Sequence, residues 1–312
     1  MLGSLTLPLS ALELREAVRD ARRFDAARLD RVLHVDANRG HAEVQASASW
    51  AALADRAGLP ENFAASWSCA GPTIGEAVAS NGAGPDGRPF VAHVEALALV
   101  TPEGELRRVS RTSYPELFRL AVGGHGIFGT PYSITVDMHS LVSACTQRQE
   151  SASLDLPDGE RGGVRLQLLV PSAQLEAFIA DCRAICEEWR VRLSGVAVRR
   201  ILAESETELC WARRELAEVT LLLGKLSTIG GAVRATQARR ALIDAAIGRD
   251  GSFPLATTPE ATAAQLEACY PRIRAILAEK KRLDPAEKIS NDWYRHHKTL
   301  LWPGTCEVRW GR

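Results

Sequence analysis

The 312-residue chain is short of several things, and each shortage removes a class of function. It has no net charge, with Lys plus Arg and Asp plus Glu at 38 each. Its arginines are scattered, and no basic stripe interleaves with aromatics, so a polyanionic partner such as nucleic acid is not expected. No apolar run approaches the ~18 residues that a membrane span needs, and no basic start precedes an apolar signal core. A soluble, cytoplasmic protein without a membrane partner is therefore expected. The seven cysteines form no Cys-x-x-Cys pair. Cys182 and Cys186 stand one helical turn apart without a His or second pair to complete a zinc site, so no metal is expected and the thiols read as small hydrophobes.

Glycine is present where it can matter. Gly71-Pro-Thr-Ile-Gly75-Glu-Ala-Val-Ala-Ser-Asn81-Gly-Ala-Gly84 and Gly123-Gly-His-Gly126-Ile-Phe-Gly129 place glycine where strands hand over to loops or helices. Such positions permit positive φ and close approach of a ligand to the backbone. Free N–H groups at the start of the helix after Thr73 would suit an anion such as a diphosphate. Two ordinary turns would also explain the clusters.

The remaining pattern alternates short strands and helices. Residues 10–23 read as an amphipathic helix with Ser10 as N-cap and Glu13 closing a capping box. A hairpin follows at 31–36 and 41–46 around Asn38-Arg-Gly40. Trp50 to Gly58 is a short helix ending at a glycine. Strands are expected at 94–100, 105–110 and 131–139, with a helix at 113–120. The polar stretch 146–163 reads as a linker or surface loop. Beyond it come strands at 164–170, 195–202 and 219–223 and helices at 171–189, 232–247 and 259–281. The fold class is α+β.

Taken together these segments resemble the FAD-linked oxidases of the vanillyl-alcohol-oxidase type, with a PCMH-type FAD-binding domain, over residues 8–298. Pro8-Leu-Ser10 is similar to the opening helix of that family. Leu29–Asp36, Val44–Trp50 and Thr73–Gly82 resemble its flavin-side strands and helix start. Val94–Gly104 and Leu117–Gly129 carry the most specific likeness. Arg199-Arg-Ile201, Leu209-Cys-Trp211 and Lys281–Pro285 resemble its cap domain, and Ser290–Arg295 the return to the flavin domain. The resemblance implies a shortened, divergent member organised as an FAD-binding-type domain over 1–142, a linker over 143–163, a cap or substrate domain over 164–279, and a return over 280–312.

Three departures stand beside it. Arg23–Arg28 joins the first helix almost directly to the Leu29 strand, where the family carries a glycine-rich loop, often with a His for covalent attachment. Glu76 stands where a second glycine is usual, and its carboxylate would repel a diphosphate if it faced one. Asp250–Pro259 lacks the aromatic and imidazole groups usual in the cap.

The implied cofactor is FAD, with contacts at Thr73, Gly75, Asn81, Gly82, Gly124, Gly126, Ile127 and Gly129. His125 reads either as a ring-edge contact or as a solvated loop residue. Histidine suits proton abstraction because its ordinary pKa is near 6.5. Tyr294, His296 and His297 are the candidate bases, and Arg199 or Arg200 would meet a carboxylate or developing alkoxide. The expected activity is oxidation of an alcohol-bearing or polar small metabolite by hydride transfer to flavin. The alternative is a flavin-poor binding or scaffold protein, or a non-redox enzyme in the same cleft. A small-molecule substrate is the expected partner, with a homodimer as a possible assembly.

Overall fold

The computed structural model describes residues 5–147, 152–154, 163–225 and 228–303. The chain divides into two compact units: 1–148, 205–210 and 274–312 form the first, and 149–204 and 211–273 the second.

In the first unit, helix α1 (Ala11–Arg19) puts Leu14, Ala17 and Val18 on one buried face. Ser10 caps it by accepting from the Glu13 amide, while the Glu13 carboxylate reaches back to the Leu9 amide. The hairpin forms from β1 (Val32–Asp36) and β2 (His41–Gln45). Helices α2 (Trp50–Ala57), α3 (Asn62–Trp67) and α4 (Ile74–Ser80) follow. Strands β3 (Val94–Val100) and β4 (Leu106–Ser110), helix α5 (Pro115–Ala121), strand β5 (Thr130–Asp137) and helix α6 (Met138–Thr146) complete this stretch. The five strands make one antiparallel sheet in the order β1-β2-β5-β3-β4.

Alternation decides which face of the sheet is buried. Ala42 and Val44 of β2 and Ile134 and Val136 of β5 are shielded from water, and they pack with the helices in one apolar core. Within it, Trp50 and Trp67 stack at 5.1 Å and Phe90 meets both rings edge-on. Offset-stacked and edge-to-face arrangements suit the ring quadrupoles. A second, smaller cluster joins Leu14, Val18, Leu29, Val100 and Ile289.

The second unit holds an antiparallel sheet of β6 (Ala152–Leu154), β7 (Val164–Val170), β8 (Leu193–Ile201) and β9 (Leu216–Leu223) in the order β6-β8-β9-β7. Helices α7 (Leu175–Glu188), α8 (Ile229–Ile247) and α9 (Ala263–Cys269) accompany it. The chain then runs through α10 (Ile273–Leu283) and α11 (Asp292–Leu301) in the first unit.

Several expectations need correction. The single helix read over 259–281 is two, α9 and α10, interrupted at Pro271, which cannot donate a helical hydrogen bond. The stretch 143–163 is not all linker, because α6 runs to Thr146 behind its N-cap Asp137, and residues 152–154 form β6. The rest of that stretch between 148 and 162 lies outside the described residues, as does Cys306. Among the described residues no helix is long and apolar enough to cross a membrane, and no group of His, Cys, Asp or Glu could hold a metal ion. Cys182 and Cys186 are buried, which pushes both thiols up, to about 12 and about 11.

Candidate functional site

Helix α4 starts at Thr73, whose side chain accepts from the Glu76 amide. The other amides of its first turn are also occupied. Ile74 N donates to Ala48 O at 3.1 Å, Gly75 N to Ala46 O at 2.8 Å, and Ala77 N to Thr73 O at 3.0 Å. The expected set of open N–H groups for an anion is therefore absent here: the segment after β2 has filled it. An anion at this terminus would have to break existing bonds, each worth about 0.5–1.5 kcal/mol net.

The glycines divide by what surrounds them. A Cβ on Gly75 would lie 2.2 Å from Ala46 O, one on Gly82 2.0 Å from Ala70 O, and one on Gly124 1.9 Å from Leu120 O. These three are glycine because protein backbone crosses them. Gly126 differs: it has φ +71, and a Cβ there would meet Asn291 Nδ2 at 3.9 Å, an ordinary contact distance. Asn81, also expected as a cofactor contact, is fully buried, adopts φ 51 as the C-cap of α4, and accepts from Val91 N at 2.8 Å. Ile127 is core.

A cavity of about 440 Å³ opens between α4 and the 123–129 loop, reached by Thr73, Gly75, Gly126 and Gly129 of the eight expected contacts. Its wall is largely small and apolar, including Ala46, Val78, Ala79, Ala121 and Pro131. The Gly126 and Gly129 amides make no hydrogen bond among the described residues. Its two charged groups, Asp25 and Glu76, are both acidic. A second cavity of about 520 Å³ shares Gly126 and Thr130 with the first, and its rim carries Arg22, Arg23, Lys288 and Arg295 with one carboxylate, Glu287. Sequence spacing gave no signal for these cations, since two come from near residue 22 and two from near residue 290.

The tail expected to supply a base is helix α11. Its N-cap Asn291 accepts from Tyr294 N at 2.9 Å and donates from Nδ2 to His125 O at 2.7 Å, which ties the helix start to the glycine loop. His125 is half-buried and stacks on Trp293 at 4.2 Å, and Trp293 stacks in turn on His297 at 4.2 Å. The sequence left two readings for His125, and the ring contact it makes is with this indole. Burial, reinforced by His297, pushes the His125 imidazole down to about 3. Burial likewise pushes His297 down to about 4, against a hydrogen bond to Trp293 O.

Tyr294 is buried with its hydroxyl on Glu287, and burial together with that carboxylate raises its pKa. His296 is exposed on the same helix. Arg199 lies in the second unit on β8 and holds the buried Glu218 through two hydrogen bonds, at 3.0 and 2.9 Å. Its neighbour Arg200 pairs with Glu215 on the exposed side, as strand alternation requires. None of Tyr294, His296 and Arg199 lines either cavity just described.

Whether these residues fit FAD has a mixed answer that the geometry resolves by region. The apolar wall and two glycine amides without partners among the described residues fit a flat heterocyclic part of the cofactor. The start of α4 does not fit its diphosphate. No curated protein matches the chain. Residues 8–110 match the family model described as FAD binding domain, which indicates FAD as cofactor and suggests a flavin-dependent oxidoreductase. With the antiparallel sheet and helices of the first unit, that match gives the first unit a PCMH-type FAD-binding domain.

Proposed function

We propose that the chain oxidises an alcohol-bearing or polar small metabolite with FAD held in the first unit. The observation that carries this reading is the cavity of about 440 Å³ lined by Gly126 and Gly129, whose amides have no protein partner among the described residues. Bound flavin would supply the hydride acceptor. The chain's own part is to position and to exclude water: the Gly126 and Gly129 amides would offer donors to the flavin, and the alanine-rich wall would keep water from it. Among the tail residues, His296 is exposed, whereas Tyr294 is disfavoured as a base by its burial beside Glu287. Arg199 would meet a substrate carboxylate only in competition with Glu218.

The test is the colour of the purified protein and a titration with FAD. Visible-blue absorbance, or uptake of added FAD, supports the reading. The occupied amides of α4 and the acidic pair Asp25 and Glu76 favour a second reading, a flavin-poor binding protein. A colourless preparation that takes up no FAD would select it.

A further inference from the structure

The second cavity was expected of no residue in the sequence, and its charge is uneven. Four cations rim it against one carboxylate. Glu287 is already engaged, with Lys298 Nζ at 2.6 Å, Lys281 Nζ at 3.3 Å and the Tyr294 hydroxyl at 3.1 Å. Arg22 pairs with Asp20 at 2.6 Å and Arg295 with Asp292 at 2.5 Å, so those two charges are compensated. Lys288 is half-buried and donates to the carbonyl of Arg19 at 2.9 Å, a neutral acceptor that leaves its charge in place. The Arg23 side chain makes no hydrogen bond or ion pair among the described residues. Two uncompensated cations from distant parts of the sequence thus face one space, which adjoins the acidic, apolar cavity through Gly126 and Thr130.

We propose that Arg23 and Lys288 hold the diphosphate of the dinucleotide, with the adjoining apolar cavity taking one of its ring systems. The inference rests on the flavin reading and deepens it. A dianionic linker cannot be placed beside Asp25 and Glu76 without repulsion, and the α4 amides are spent, so the anion belongs on the cationic side of Gly126. The guanidinium of Arg23 can offer a forked pair of donors to phosphate oxygens, and the Lys288 ammonium a point charge. The ends of a dinucleotide and its linker differ in charge as the two cavities do.

Binding of FAD and of riboflavin, which lacks the diphosphate, to the full chain by calorimetric titration separates the claims. Wild type is expected to bind FAD more tightly than riboflavin, with FAD affinity falling as salt is raised. Arg23→Ala with Lys288→Ala is expected to weaken FAD by about tenfold or more, flatten its salt dependence and leave riboflavin within about twofold. Arg23→Lys should recover part of the loss, which a folding defect would not. If the double variant binds FAD as wild type does, the assignment of these cations falls while the flavin reading stands. If wild type binds neither compound, both fall together.

Discussion

Lys280 and Asp284 form an ion pair with both ends out of water: Nζ and Oδ2 stand 2.5 Å apart, and their side chains are 0% and 1% exposed. The same carboxylate accepts from the amides of Lys288 at 3.0 Å and Ile289 at 2.9 Å, which turns the chain after α10. Burial alone would raise the Asp284 carboxyl, but the bonds from Lys280, Ile289 and Lys288 outweigh it and hold it below its usual range. Removing one partner strands a buried charge. Asp284→Ala should destabilise the first unit by about 3–5 kcal/mol, seen as a lower midpoint in denaturant unfolding. Replacing both residues by apolar ones should recover most of that; no recovery would mean that the two amide bonds, not the ion pair, carry the effect.

Two buried imidazoles, His93 and His297, and the half-buried His125 set an acid limit on stability. His93 lies in the aromatic core with its ring on Ser140, and burial pushes it down from 6.5 to about 4, against the Asp86 carboxylate. His297 and His125 are lowered for the same first cause. A group whose folded pKa is depressed favours the folded state above its unfolded pKa and loses that contribution as pH falls. Stability should therefore decline from near pH 6.5 down to about 4 for His93. Thermal melts of His93→Gln across that window should show a shallower slope than wild type; an identical slope would remove His93 from the account.

Glu76 stands at the third position of α4, where a carboxylate suits the helix end but sits at the rim of the apolar cavity. Neutralising it should cost α4 a few tenths of a kcal/mol. With the diphosphate assigned to the far side of Gly126, Glu76→Gln is expected to change FAD affinity by no more than about twofold. A tightening of about fivefold or more by equilibrium titration would instead put the diphosphate beside this carboxylate.

Gly75 is glycine for its neighbour's sake. A methyl group there would meet Ala46 O at 2.2 Å, and backbone cannot step aside as a flexible side chain can. Gly75→Ala should cost about 1–3 kcal/mol by overpacking, read from unfolding curves. Gly126→Ala meets no such wall, and its loss, from φ +71, should be smaller, near 1 kcal/mol.

Local chemistry made much of the first unit readable. Apolar alternation around Asn38-Arg-Gly40 marked the hairpin, and Gly58 at φ 64 ends α2 as its position suggests. Strands β3 and β7 have the limits their apolar runs imply. Helix α11 was read as a polar, aromatic tail, because its buried face is built from Tyr294, His297 and Leu301 instead of aliphatic residues. The same period was present in unusual side chains.

The site was legible in outline and not in detail. Glycine clusters pointed to the right region, but sequence cannot tell a glycine that admits a ligand from one that admits another strand. Gly75 is crossed by a carbonyl 29 positions earlier in the chain, at Ala46, and Gly82 by Ala70. The cations of the second cavity depend on a fold that brings residue 288 to the end of α1, a long-range fact with no local trace.

Ile289 completes the small cluster that covers Leu14 and Val18 of α1. During synthesis on the ribosome, α1 must wait for Ile289 to emerge before its greasy side is fully sealed. A truncation ahead of Ile289 would leave part of that surface bare.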